Sequence, residues 1–126
     1  MTHRESFEAE LKRVVVPRLR ERKFTGSFPH FRRPDENGIQ LLTFQFDKNG
    51  GGLVIEIARC PSVGTTTHWG KQIPPSKVTA WDLHPNDRER IKPKSGAGTD
   101  SWFRYEGEKI QECVEQVLAA LSVADH

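Results

Sequence analysis

The sequence predicts an α+β fold: an antiparallel sheet of three to five strands, with a kinked N-terminal helix and a C-terminal helix packed on one face. Three observations carry this. Apolar residues recur at helical spacing near both ends of the chain. Between them, two segments alternate apolar and polar residues with a period of two. Those two segments are joined through Asn49-Gly50, a dipeptide that takes positive φ at little cost and so suits a hairpin.

At the N-terminus, Phe7, Leu11, Val14, Val15 and Leu19 place an amphipathic helix over residues 5–22. Pro17 interrupts it. A proline inside a helix removes the bond to the carbonyl four residues back, here that of Arg13, and its ring clashes there. A kink, or two helical pieces meeting near Val16, is the expected result. Phe28 to Arg33 suits a first strand, followed by the turn sequence Pro34-Asp35-Glu36-Asn37-Gly38. Ile39 to Phe46 is a second strand, with Leu42, Phe44 and Phe46 on one side and Gln40 at the end of that same side. Leu53 to Arg59 is a third, with Leu53, Ile55 and Ile57 inward and Glu56 outward.

Residues 60–77 hold Pro61, Gly64, three threonines, Gly70, Pro74 and Pro75, and read as a long loop of the kind that often carries function. Val78 to Leu83 is a candidate strand, 85–100 is polar and turn-rich, and Ser101 to Glu106 is a candidate short strand carrying Trp102 and Phe103. From Gly107 on, Ile110, Cys113, Val114, Val117, Leu118 and Leu121 define the clearest helix in the chain. The apolar faces of the two helices must be buried, so both should cover one face of the sheet. The other face should present Arg32 and Glu56 to water or to a partner.

A chain of 126 residues fits a single domain spanning 1–126. Charged residues make up 29% and are mixed in sign, which argues against wholesale disorder. The net charge of +2 is uneven: residues 1–33 carry nine Lys/Arg against four Asp/Glu, the remainder ten against thirteen. The N-terminus has acidic residues and no long apolar stretch, so it does not read as a signal peptide, and no run approaches a membrane span. The expected compartment is the cytoplasm. Cys60 and Cys113 form no Cys-x-x-Cys pair and no disulfide framework.

Val16-Pro17-Arg18-Leu19-Arg20-Glu21 followed by Phe24, then Ser27-Phe28-Pro29-His30-Phe31-Arg32-Arg33, then Leu42-Thr43-Phe44-Gln45, resembles bacterial domains of unknown function in family 4304. The resemblance implies a helix ending near a phenylalanine, a strand carrying an aromatic residue and arginines, and a following strand with Phe-Gln. Trp69, Trp81 and Trp102 suit the tryptophan-containing second half of that family. Lys23 stands where the family pattern has glycine before phenylalanine. The resemblance implies a fold and no particular activity.

Motifs that carry chemistry are incomplete throughout. Gly64 to Lys71 looks like a phosphate loop, but five residues separate its glycines instead of four, and Gln72 replaces the hydroxyl residue that would hold magnesium. Gly96-Ala97-Gly98 lacks the third glycine of a dinucleotide fingerprint. There is no Gly-x-Ser-x-Gly elbow. Cys60 with His68 or His84 matches no common zinc spacing and has no local feature that would activate a thiol. No catalytic residue, metal site or cofactor is therefore expected. The candidate ligand-binding residues are Arg32, Arg33, Trp69 and Trp81, because arginine forks and tryptophan faces in strands and loops are not explained by core packing. The expected function is a non-catalytic accessory that binds a protein partner, comparable by analogy to immunity or antitoxin domains. The alternatives are a weak nucleic-acid-binding module using the basic N-terminal region, or an enzyme with a site beneath the 60–77 loop. Oligomeric state is left open.

Overall fold

Pro17 shapes the first helical layer. In the computed structural model, which describes residues 3–48, 51–91, 103–105 and 110–124, α1 (His3–Glu10) and α2 (Val16–Glu21) are joined by a π-helical turn, Leu11–Val15. The Val16 N–H bonds the carbonyl of Leu11, five residues back, and Pro17 stands in the first turn of α2, where no intrahelical donor is required. Two helical pieces thus meet at Val16, as the sequence predicts. Phe7, Leu11, Val15 and Leu19 form their buried face.

The layer ends in a Schellman cap. Lys23 has φ 74°. Its N–H bonds the carbonyl of Arg20 and the Phe24 N–H bonds the carbonyl of Leu19, both at 3.0 Å. Phe24 and Leu19 then bury their side chains in the same core.

Among the described residues eight strands follow in order: β1 (Thr25–Ser27), β2 (His30–Asp35), β3 (Gly38–Phe46), β4 (Gly52–Cys60), β5 (Thr65–Thr66), β6 (Gln72–Ile73), β7 (Arg88–Ile91) and β8 (Phe103–Arg104). The main sheet is antiparallel, in the order β1-β2-β3-β4-β7, with β8 on the far end of β4; β5 and β6 form a separate ribbon. Among the described residues the sheet has six strands, because β1 precedes the predicted first strand, which starts only at His30 as β2, and because β7 and β8 both pair with β4. The Asn49-Gly50 hairpin tip and Trp102 lie outside the described residues.

One face of the sheet carries the main core. Phe31, Leu42, Phe44, Leu53, Ile55 and Ile91 meet α1, α2 and the C-terminal helix α3 (Ile110–Ala124), which contributes Cys113, Val114, Val117, Ala120 and Leu121. Both helices therefore cover one face. Glu10 accepts from Gln111 at 3.0 Å, and Arg22 donates to the Leu121 carbonyl at 3.2 Å. Because the contacts advance together along both segments, α1–α2 and α3 run parallel. Among the described residues no helix is long and apolar enough to cross a membrane.

The opposite face is covered by the chain itself, contrary to the expectation that it meets water or a partner. A second core joins Ile39, Leu41, Cys60, Val78 and Ala80, with Ala58, Ile73 and Leu83 against it. Glu56 is only 6% exposed there, and its carboxylate accepts from Arg88 at 3.4 Å. The residues that cover this face come from 73–83. Val78–Leu83 is not a strand: Thr79 and Asp82 close a 3-10 turn, Ala80–Asp82, in which the Asp82 carboxylate accepts the Thr79 N–H at 2.8 Å. The 60–77 loop contains the β5–β6 ribbon. Its entry depends on Gly64 (φ 98°), where any Cβ would collide with the Ile73 carbonyl.

Candidate functional site

The period of two on β2 sends Arg32 and Arg33 to opposite faces of the sheet. Arg32 lies on the face covered by 73–83. Its Nε and Nη2 donate to the Val78 carbonyl at 3.2 and 3.0 Å, pinning that segment to the sheet. On the same side Trp81 sets its ring 4.7 Å from His30 at 84° and stays 44% exposed. His30 shares a hydrogen bond of 3.0 Å with the Thr43 hydroxyl. Burial, and next the charge of Arg32, push the imidazole pKa of His30 down and so favour its neutral form. Trp69 stands in the turn between β5 and β6, 63% exposed, with the His68 ring edge-on at 4.7 Å. Arg32 and Trp81 are thus brought to one side of the sheet, and Arg33 is separated from them.

Arg33 faces the helical layer. Its guanidinium donates to the Gln40 side-chain oxygen, donates to the Arg22 carbonyl at 2.9 Å, and lies 4.6 Å over the Phe24 ring. These three neighbours border a groove of about 580 Å³ where the helices stop short of the sheet's end. Its floor includes Leu42, Ile57 and Ile91. Gln40 and Arg59, cross-strand neighbours on β3 and β4, stand at its outer end, and Asp87 and Glu89 line it from the β7 side. Asp35 holds Arg59 in place, its two oxygens accepting from Nη1 at 2.8 and 2.9 Å. Those bonds, and the Asn37 N–H, keep the Asp35 carboxyl below its usual pKa.

The groove is not nominated by sequence alone, since its residues come from five separate stretches. One signal existed. Gln40 and Arg59 share the inward parity of Leu42 and Ile57, so two polar residues interrupt adjacent apolar faces at the same level of the sheet.

Beneath the 60–77 segment lies an open cleft of about 650 Å³. Its lining, which includes Val63, Thr65, Gln72 and Ile73, contains no titratable side chain among the described residues. Cys60 is buried, donates to the Pro61 carbonyl at 3.5 Å, and has its thiol pKa pushed up, first by burial and then by Asp82. Such a thiol is a poor nucleophile. Among the described residues no three of His, Cys, Asp and Glu come together as a metal site.

The fold and these surfaces define a small α+β protein with a sheet covered on both faces and an apolar groove at the end of its helical layer. The family described as "Domain of unknown function (DUF4304)" matches residues 15–124, and the chain belongs to it. No curated protein and no solved structure matches the chain.

Proposed function

We propose that this chain is a non-catalytic accessory domain that binds another protein through the surface bearing Trp69 and Trp81, with Arg32 behind it. The observation that carries this is the exposure of three large apolar side chains, Val63, Trp69 and Trp81, all on the segment 61–82. Core packing does not account for them, and tryptophan is enriched among the residues that dominate binding energy at interfaces. Arg32 serves this surface by anchoring the segment through Val78. Arg33 faces the other side of the sheet and would serve a partner only at the groove.

Nucleic acid is the less favoured partner, because much of the basic N-terminal region is already engaged. Arg13 pairs with Glu10, Arg20 donates to the carbonyls of Phe24 and Gly26, and Arg22, Arg32 and Arg33 all bond protein oxygens.

The test begins with the protein retained from native extract by the full chain. That protein is then purified and its affinity measured for wild type, Trp69→Ala and Trp81→Ala, with folding checked by circular dichroism. The expected loss is about 2 kcal/mol for at least one folded variant. Affinity unchanged in both would place the contact elsewhere.

A further inference from the structure

The groove lies on the opposite face of the sheet from the tryptophans and has its own chemistry. One side offers donors. Arg33 can only donate, so it fixes the Gln40 oxygen toward itself and leaves the Gln40 amide NH2 as the group without a partner among the described residues. Beside it, Asp35 occupies Nη1 of Arg59, and among the described residues Nε and Nη2 of that guanidinium are left as donors. The other side offers acceptors. Asp87 and Glu89 have no ion-pair partner among the described residues. The floor is apolar: Leu42 on β3 pairs with Ile57 on β4, which pairs with Glu89 on β7; Gln40 and Arg59 stand one step along the same face, and Ile91 lies the other way. The volume of about 580 Å³ falls in the range of sites that enclose a ligand or a few side chains.

We propose that this groove binds a short apolar segment of a partner protein, bounded by an acidic residue that meets Gln40 and Arg59 and a basic residue that meets Glu89 and Asp87. The argument is charge complementarity. Two carboxylates with no ion-pair partner among the described residues repel a phosphodiester backbone or a fatty acid headgroup. They attract the ammonium or guanidinium of a peptide, while the N–H groups of Gln40 and Arg59 donate to its carboxylate. The apolar floor supplies burial for the residues between.

The test is an NMR titration of the isotopically labelled full chain with the acetylated and amidated peptide Glu-Leu-Ile-Leu-Lys. Backbone amide shifts are expected at Gln40, Leu42, Ile57 and Glu89. The neutral peptide Gln-Leu-Ile-Leu-Gln should bind roughly tenfold more weakly, and Arg59→Gln or Glu89→Gln should each cost a similar factor toward the charged peptide. Glu89→Lys should recover affinity for a peptide carrying Glu in place of its Lys, which a merely misfolded variant would not do. Trp69→Ala should bind the peptide as wild type does, so this result is separable from the tryptophan surface. No groove shifts at millimolar peptide, or equal affinity for the neutral peptide, would overturn the proposal. So would groove resonances that move with protein concentration alone, since the occupant would then be a second copy of the chain.

Discussion

Phe24 closes the first helical layer by donating its backbone N–H to the Leu19 carbonyl, 3.0 Å away. The closure requires the intervening Lys23 to sit at φ 74°, a conformation that costs any side-chain-bearing residue about 1 kcal/mol and costs glycine little. Lys23→Gly should therefore raise stability by roughly 0.5–1 kcal/mol, read as a higher urea midpoint at unchanged slope. Lys23→Val should lower the midpoint.

Buried Glu56 pairs with the partly buried Arg88 beneath the covering segment, and Arg88 also donates to the Leu83 carbonyl at 3.1 Å. Arg88→Ala leaves the carboxylate buried without its cation and should cost about 3 kcal/mol. Adding Glu56→Gln to that variant should return part of the loss. Chemical denaturation of Arg88→Ala, Glu56→Gln and the double variant beside wild type gives the comparison directly. If the double variant is as unstable as the sum of two independent losses, the two groups are not coupled.

Glu10 ties the two helical segments together by accepting from Arg13 and Gln111. Those bonds, Arg13 first, bring its pKa down from 4.5 to about 2. The unfolded chain therefore takes up this proton at higher pH than the folded chain does. The linked stability is present above pH 4.5 and is lost as pH falls toward about 2. Thermal melts across that window should fall less steeply for Glu10→Gln than for wild type. The effect should be small, because the carboxylate is exposed to solvent.

Cys113 is sealed in the main core, and burial pushes its thiol pKa from 9 up to about 12. Native protein at pH 8 should leave both Cys113 and the buried Cys60 unmodified by iodoacetamide, and denatured protein should take two alkyl groups by mass. The linkage runs opposite to that of Glu10. Between pH 9 and about 12 the unfolded thiol ionises and the folded one does not, so stability declines as pH rises through that range.

The helices and the central strands were legible because burial imposes a period, and the period survives in Phe7-Leu11-Val15-Leu19 and in Leu53-Ile55. The second face was misread for a physical reason. Strand parity assigns Glu56 to a face, and says nothing of what another segment lays over that face. The covering segment has no period of its own, since Val78 and Ala80 reach the core from a 3-10 turn. The Thr79-x-x-Asp82 spacing was a helix-start signature that argued against a strand there. At the candidate sites, the sequence could single out Arg32 and Arg33 as residues that packing does not explain. It could not tell that one holds Val78 and the other Gln40, because those partners come from different turns of the chain.

The parallel course of the two helical segments has a practical consequence for anyone who tethers this protein. His3 and Ala124 lie at opposite ends of the helical layer, whose α3 alone rises about 20 Å from Ile110 to Ala124. Leu121, one turn before the end of α3, borders the groove. A fluorophore, affinity handle or fused domain attached after α3 would leave the fold beside the groove and crowd its mouth. The same cargo placed ahead of α1 would hang from the far end. Immobilisation through one terminus or the other would then present two different proteins to a partner in solution.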